Sequence, residues 1–470
     1  MRQIQLRPED NVAVLADGEK RGHKIALRDI APEEDVIKYG YPIGHATQAI
    51  RQGEHVHTHN IKTNLDGVLS YTYRPALKEK EFAGDIFFDG YLRKDGRVGI
   101  RNEIWIINTV GCVNKTAELL ARKANAPYEG KTEGIFTFPH PYGCSQLGDD
   151  HKYTQAILKG LVSHPNAGGV LVLGLGCENN HIGVFKEILG DYDPQRVKFL
   201  SVQEVGDEEE AGLALIGELV EYAGAFRRTP CPLSALTVGL KCGGSDGFSG
   251  ITANPLVGLF SDRLIAHGGS SVLTEVPEMF GAETILMNRC ADEAVFLKTV
   301  SLINSFKDYF LRHNQTVYEN PSPGNKEGGI TTLEDKSLGC VQKGGSANVE
   351  DVIAVGDGVV RRGLNLLSGP GNDMVAVTNL AAAGCQLILF TTGRGTPLGA
   401  PVPTIKISSN TPLAKNKPHW IDFDAGPMLE GEDMENPFFS YVLRVIAGQQ
   451  TMNEKNGYRE IAIFKDGVTL

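Results

Sequence analysis

The 470-residue chain holds no apolar run approaching the ~18 residues that a membrane-spanning helix needs. Its first segment, MRQIQLRPEDNVAV, is charged throughout and lacks the apolar centre of a signal peptide. A cytoplasmic protein with no membrane partner is expected. Cysteine is scarce: eight residues, with no CxxC pair among them, so a disulfide scaffold is not expected and the thiols should be reduced. Positive charge is in deficit, with 46 Lys and Arg against 57 Asp and Glu and a net charge of -11. That balance argues against nucleic acid and anionic membranes as partners. It leaves room for a local cluster of Lys and Arg that grips a small anion. No GxGxxG follows a strand, and no GxxxxGK[ST] phosphate loop is present.

Glycine is abundant, at 55 residues, and much of it follows apolar runs, where backbone turns tightly or approaches a ligand. The length exceeds the ~250–300 residues at which one core stops growing, so several domains are expected. Residues 1–70 read as short strands punctuated by glycine, and 71–90 as a linker or crossing arm. From 91 to 230 three apolar runs end in Gly-Cys: IWIINTVGCVN, GIFTFPHPYGCSQ and GVLVLGLGCENN. Helix-like stretches separate them, which is the strand–helix rhythm of a parallel sheet. Residues 231–470, beginning after TPCP, repeat that α/β grammar and end in a closing helix and a terminal strand, REIAIFKDG. The fold class is therefore α/β: a small β-rich domain followed by two domains with mainly parallel sheets. Ligands of such sheets bind beyond the carboxyl ends of the strands.

Candidate chemistry sits at those ends. The Gly-Cys steps place Cys112, Cys144 and Cys177 there, with Glu178 directly after the last. Each step also reads as a tight turn with a small packed thiol. Together, soft thiolates and a carboxylate suit a transition metal, with Cys144, Cys177 and Glu178 as candidate ligands, or an iron–sulfur cluster on the three cysteines. KCGGSDGFSG offers Lys241 and a nest of amides at Gly243, Gly244 and Ser245. TTGRGTPLG offers Arg394, PSPGNKEGG offers Lys326, and GRVGIRNE offers Arg101 and Asn102. Each is an ordinary turn when taken alone; as a set they resemble a site for a polyhydroxylated anion. TEVPE adds Glu275 and Glu278, which read equally as ligands or as helix caps.

GEHVHTHN puts His55, His57 and His59 on alternate residues. On a flat strand they share a face at steps of about 6–7 Å, too far apart for neighbours to meet on one ion. One of them, His55, is expected to join a metal held mainly elsewhere, with His23 or His45 beside it.

Long segments resemble the altronate/galactarate dehydratase family: GHKIAL, VIKYGYPIG, GEHVHTHN, YGCSQLGDDH, GLGCENN, CGGSDGFSGITANP, TEVPEMFGAE, ENPSPGNKEGGITTLEDKSLG, TTGRGTP and HWIDFDAG. The resemblance runs through essentially the whole chain, and GEHVHTHN and YGCSQLGDDH look more like the altronate branch. It implies an N-terminal SAF-type domain, a divalent metal (Fe²⁺ or Mn²⁺) and dehydration of a small anionic sugar acid, D-altronate, to 2-dehydro-3-deoxy-D-gluconate. It is also compatible with a homo-oligomer. The physics suits the motifs. A C2 proton beside a carboxylate is very weakly acidic, and removing it needs fixed positive charge and donors. Lys241, Lys326 and Arg394 would supply that charge, and His57 or His23 the base. A galactarate-type dehydratase, an iron–sulfur dehydratase and a non-catalytic sugar-acid binding protein are the alternatives. The last fits poorly with only two tryptophans for stacking on a sugar.

Overall fold

A computed structural model describes residues 2–469. The N-terminal domain is built of two small antiparallel sheets. One orders the strands Gln3–Ile4, Val12–Leu15, Lys24–Ala26 and His55–Val56; the other orders Asp35–Lys38, Tyr41–Ala46 and Ile61–Lys62. Val36, Ile43, Ala46 and Val56 are fully buried between them. This core is continuous with that of the C-terminal domain. The arm after it has no regular structure up to Phe87 and crosses the C-terminal domain. Tyr71 there donates to Glu283, Tyr73 donates to the Cys290 carbonyl, and Lys78 and Asn348 exchange two hydrogen bonds.

The second domain carries a four-stranded parallel sheet in the order 135–137, 103–108, 167–174, 197–201. The strand 167–174 is buried on every residue, as a parallel strand covered on both faces must be. TPCP is itself a short strand, Thr229–Pro232, paired antiparallel with residues 87–90.

A seven-stranded parallel sheet forms the third domain, in the order 349–353, 364–367, 270–273, 237–242, 387–392, 404–408, 423–424. The chain builds outward from 237–242 on one side and returns to build the other, so its order reverses between 237–242 and 387–392. Ligands of open α/β sheets bind at such a reversal.

One expected element is different. REIAIFKDG is not a strand. It lies between the second and third domains, with Ile461 and Ile463 buried and Arg459 paired to Glu103. Its apolar alternation serves a groove between two sheets rather than a place within one. Among the described residues no helix is long and apolar enough to cross a membrane.

Candidate active site

Three segments interlock above the sheet reversal. The hairpin at Gly22 enters between the glycine loop 243–250 and the loop 321–329, which is wound into a short helical turn at Pro323–Glu327. A Cβ on Gly247 would stand 1.9 Å from the Gly22 carbonyl oxygen, and one on Gly329 would stand 2.2 Å from it, so neither position accepts a side chain. Beneath them, Lys24 and Lys38 both bind the Asp335 carboxylate, at 2.7 and 2.9 Å, in complete burial. These contacts fix the N-terminal domain over the carboxyl edge of the seven-stranded sheet.

The histidines lie at this junction. Only His55 and Val56 are extended; the chain then turns, with Asn60 and Ile61 N–H both donating to the His57 carbonyl. The turn, absent from the flat-strand expectation, gathers the rings. His23, His55 and His57 lie with centroids 5.2–5.5 Å apart, and His59 stacks on His55 at 5.6 Å. Backbone carbonyls only accept, so they set the tautomers. His57 Nε2 donates to the Lys326 carbonyl at 2.9 Å, and His23 Nε2 donates to that of Glu327 at 3.1 Å. His23 Nδ1 must then accept from His55 Nε2, at 3.1 Å. Desolvation lowers all three rings from 6.5, and takes His55 to about 4. They are neutral at physiological pH.

Below lies a charged cluster. Lys241 is fully buried and paired with Glu275 and Asp373. Burial would lower its pKa, but Glu275, Asp373 and Glu278 raise it well above the ordinary value. Lys241 therefore stays protonated, which excludes it as a base and makes it a fixed positive charge under Gly243. Next to it, the Cys242 and Cys340 sulfurs stand 3.4 Å apart, each 3.2 Å from Glu278 Oε2. Among the described residues this is the one grouping of three His, Cys, Asp or Glu donors close enough for a single ion. Lys336 binds the other Glu278 oxygen at 2.8 Å and also donates to Asn325. Glu278, despite desolvation, is held below the ordinary carboxylate range by Lys336, Lys241 and Lys343.

Several other expected residues belong to this edge. Gly243 lies against Asp373, and Gly244, at φ +63°, accepts from the N–H groups of Gly393 and Arg394. Ser245 is buried with its hydroxyl unpartnered, lining a cavity of about 10 Å³ beside Lys336 and Cys340. That is roughly room for one water. Arg394 is half-exposed and pairs with Glu327 at 3.2 Å, and Lys326 belongs to the same loop.

Others lie elsewhere. Arg101 and Asn102 precede the strand 103–108, at the amino edge of the second sheet. Arg101 pairs with Glu454 and donates to three carbonyls; Asn102 binds Arg93 and the Ala223 carbonyl. Both are saturated structural residues rather than substrate ligands. A groove of about 960 Å³ does open beside Asn102, but it lies away from every residue of the junction. The expected metal set of Cys144, Cys177, Glu178 and His55 does not assemble, because no three of its members offer atoms within 4.8 Å of one another. His55 is in the N-terminal domain's cluster, and Glu178 is tied to Thr109 and the amides of Leu175 and Gly176. Cys340, Lys336 and Lys343 carry no signal as strong as a Gly-Cys step after a strand; LGC is the last turn of the helix 333–340, and that position hid its thiol.

The fold is α/β, with a small β-rich domain seated over the carboxyl edge of the larger sheet, and the comparisons give it a family. The description "D-galactarate/Altronate dehydratase, C-terminal" matches residues 233–469; "D-galactarate dehydratase/Altronate hydrolase, second domain" matches 90–224; "Altronate/galactarate dehydratase SAF domain" matches 14–64. The chain belongs to the altronate/galactarate dehydratase family. It is 56% identical over 467 residues to a protein of Bacillus subtilis named altronate dehydratase, covering 97% of this chain and 93% of that one. It is 53% identical to the altronate dehydratase of Escherichia coli, covering 100% of both. To galactarate dehydratase (L-threo-forming) of Escherichia coli it is 32% identical, over 94% of this chain and 89% of the relative.

Proposed function

We propose that the protein is a hydro-lyase that removes water from D-altronate to give 2-dehydro-3-deoxy-D-gluconate. The observation that carries this reading is the histidine cluster seated on the 321–329 loop above the sheet reversal, backed by full-length likeness to two altronate dehydratases. His57 is the base. His23 has both ring nitrogens committed, and His55, at about 4, is a poor base. His57 Nδ1 carries only the adjacent Thr58 hydroxyl, at 3.1 Å. Arg394 and Lys326 meet the substrate carboxylate, while the glycine-loop amides and the buried Lys241 charge favour the dianion left when the C2 proton departs.

Cys242, Glu278 and Cys340 fit a divalent transition ion, and two sulfur donors favour Fe²⁺ over the harder Mn²⁺. When bound, the ion supplies additional positive charge for the dianion. Unpaired thiols throughout suit a reducing compartment, the cytoplasm. The test is turnover: D-altronate, galactarate and related sugar acids offered to iron-loaded, anaerobic protein. D-altronate should be the preferred substrate. Preference for galactarate would move the protein to the other branch, and binding without product would remove the enzymatic reading.

A further inference from the structure

The active site leaves the three Gly-Cys steps unused, and the structure sets them apart from the other cysteines. Cys231, Cys242, Cys290, Cys340 and Cys385 are buried; Cys112, Cys144 and Cys177 are exposed. The exposed three lie one on each exit loop of three adjacent parallel strands, 103–108, 135–137 and 167–174. Neighbouring strands stand about 4.8 Å apart, so the loops leave the sheet side by side. The order of this sheet also reverses between 103–108 and 167–174, so the Cys112 and Cys177 loops flank its own ligand crevice.

The loops are clamped to one another. Gly111 N–H donates to the Tyr142 carbonyl at 2.8 Å, and Asn180 N–H donates to that of Gly143 at 3.1 Å. Asn180 Nδ2 donates to the Thr109 carbonyl at 3.2 Å, and Ser145 N–H donates to Asn179 Oδ1 at 2.9 Å. A Cβ on Gly143 would stand 1.9 Å from the Thr109 oxygen, so this glycine is what lets the first two loops touch. Ser145, next to Cys144, is held at φ +58°, a strained value for a residue with a side chain. Donors also wait here. Gln203 Nε2 points at Cys177 Sγ, 3.6 Å away. Gln146 is 3% exposed; its oxygen accepts from Gly143 N–H, and its Nε2 has no partner. An orphaned buried donor on the Cys144 loop, two residues after the cysteine, fits an acceptor that arrives with a cofactor.

We infer that Cys112, Cys144 and Cys177 bind an iron–sulfur cluster of the [4Fe–4S] type. The three sulfurs are not within 4.8 Å of one another, which rules out one ion held by all three. A cluster carries its irons outward and takes thiolates from separate loops. Each thiol that binds gives up its proton, and ferrous iron, ferric iron and sulfide from outside the chain, two Fe²⁺ and two Fe³⁺ to four sulfides, make up the [4Fe–4S]²⁺ core with no net change of oxidation state. Gln203 and Gln146 donate to cluster or thiolate sulfur. Three cysteines leave one iron of four without a thiolate, open to an oxygen ligand such as water, a hydroxyl or a carboxylate. The helices 148–162 and 373–382, which begin at the carboxyl edges of their sheets, pack in the same sense, with Tyr153 bonded to Asn379 and Gly160 against Ala382. The cluster edge and the candidate active site therefore open at the same end of the molecule.

The test does not use turnover, so its failure is separate from failure of the hydro-lyase reading. The full chain is reconstituted anaerobically with ferrous iron, ferric iron and sulfide, then assayed for bound iron, acid-labile sulfide and visible charge-transfer absorption. The parent should hold labile sulfide and at least as much iron, any excess being the ion at Cys242, Glu278 and Cys340. Cys112→Ser, Cys144→Ser and Cys177→Ser should each lose most of it, with unchanged melting temperature before reconstitution, while Cys231→Ser and Cys242→Ser keep it. Absence of labile sulfide in the reconstituted parent overturns the inference. So does retention of parental sulfide by the three exposed-cysteine variants, or its loss only in Cys242→Ser.

Discussion

His57 Nε2 lies 2.9 Å from the carbonyl oxygen of Lys326, a residue 269 positions further along the chain. This bond orients the ring, fixes its tautomer and leaves Nδ1 as its accepting nitrogen. His57→Ala should lower kcat on D-altronate by on the order of 10²–10⁴, the range for loss of a general base. His59 is exposed and touches the cluster only through His55, so His59→Ala should stay within a few-fold. Turnover of the two variants at matched metal content checks the difference; equal, small effects would remove His57 as the base.

The lowered histidine pKa values give pH a direction. Between about 4 and 6.5 the unfolded chain binds a proton at His55 that the folded protein resists. This part of the stability is complete above 6.5 and is lost as pH falls through that window. The acid limb of kcat/KM should likewise lie below 6.5, because His57 is lowered, chiefly by desolvation. Melting temperature and kcat/KM measured across pH 4–8 test both; an acid limb at neutral pH or above would contradict the assignment.

Arg394 and Arg101 should separate cleanly. Arg394 is half-exposed at the junction, so Arg394→Ala should raise KM by roughly 10–100-fold, the loss of a charge-assisted hydrogen bond. Arg101 is a buried partner of Glu454, so Arg101→Ala should lower melting temperature while KM on the remaining folded protein is unchanged. A KM effect from Arg101 with undiminished stability would return Arg101 to the substrate site.

Removing one member of the buried Asp335 triad tests domain closure. Asp335→Asn leaves Lys24 and Lys38 facing no carboxylate and should cost about 3–5 kcal/mol. Urea unfolding checks this. A neutral result would mean that the two ammonium groups find other partners.

How much of this was legible in the sequence depends on the range of each signal. The apolar runs before Gly-Cys and before KCGG marked real strand ends, because a parallel strand buried on both faces is apolar along its whole length. KCGGSDGFSG and Arg394 leave the carboxyl ends of 237–242 and 387–392 for the same reason, whereas Lys326 reaches that edge from a segment that follows the helix 293–312. Arg101 and Asn102 misled because GRVGIRNE precedes its strand rather than following it, so it lies at the wrong edge of the sheet. The histidines were read on a flat strand, and a turn after Val56, closed by Asn60, put the rings together instead. The Lys336 and Cys340 contributions come from a helix packed across the sheet end, a long-range contact that no local pattern announces.

The decisive measurement follows D-altronate labelled with deuterium at C2, incubated with anaerobic, iron-loaded protein, with the product identified by mass spectrometry. The expected result is 2-dehydro-3-deoxy-D-gluconate formed with loss of the label, at a slower rate than from unlabelled substrate where C–H cleavage limits turnover, and with the rate lowered on the order of 10²–10⁴-fold in His57→Ala. Formation of no product from D-altronate by folded, metal-replete protein, or undiminished product from His57→Ala, would contradict it.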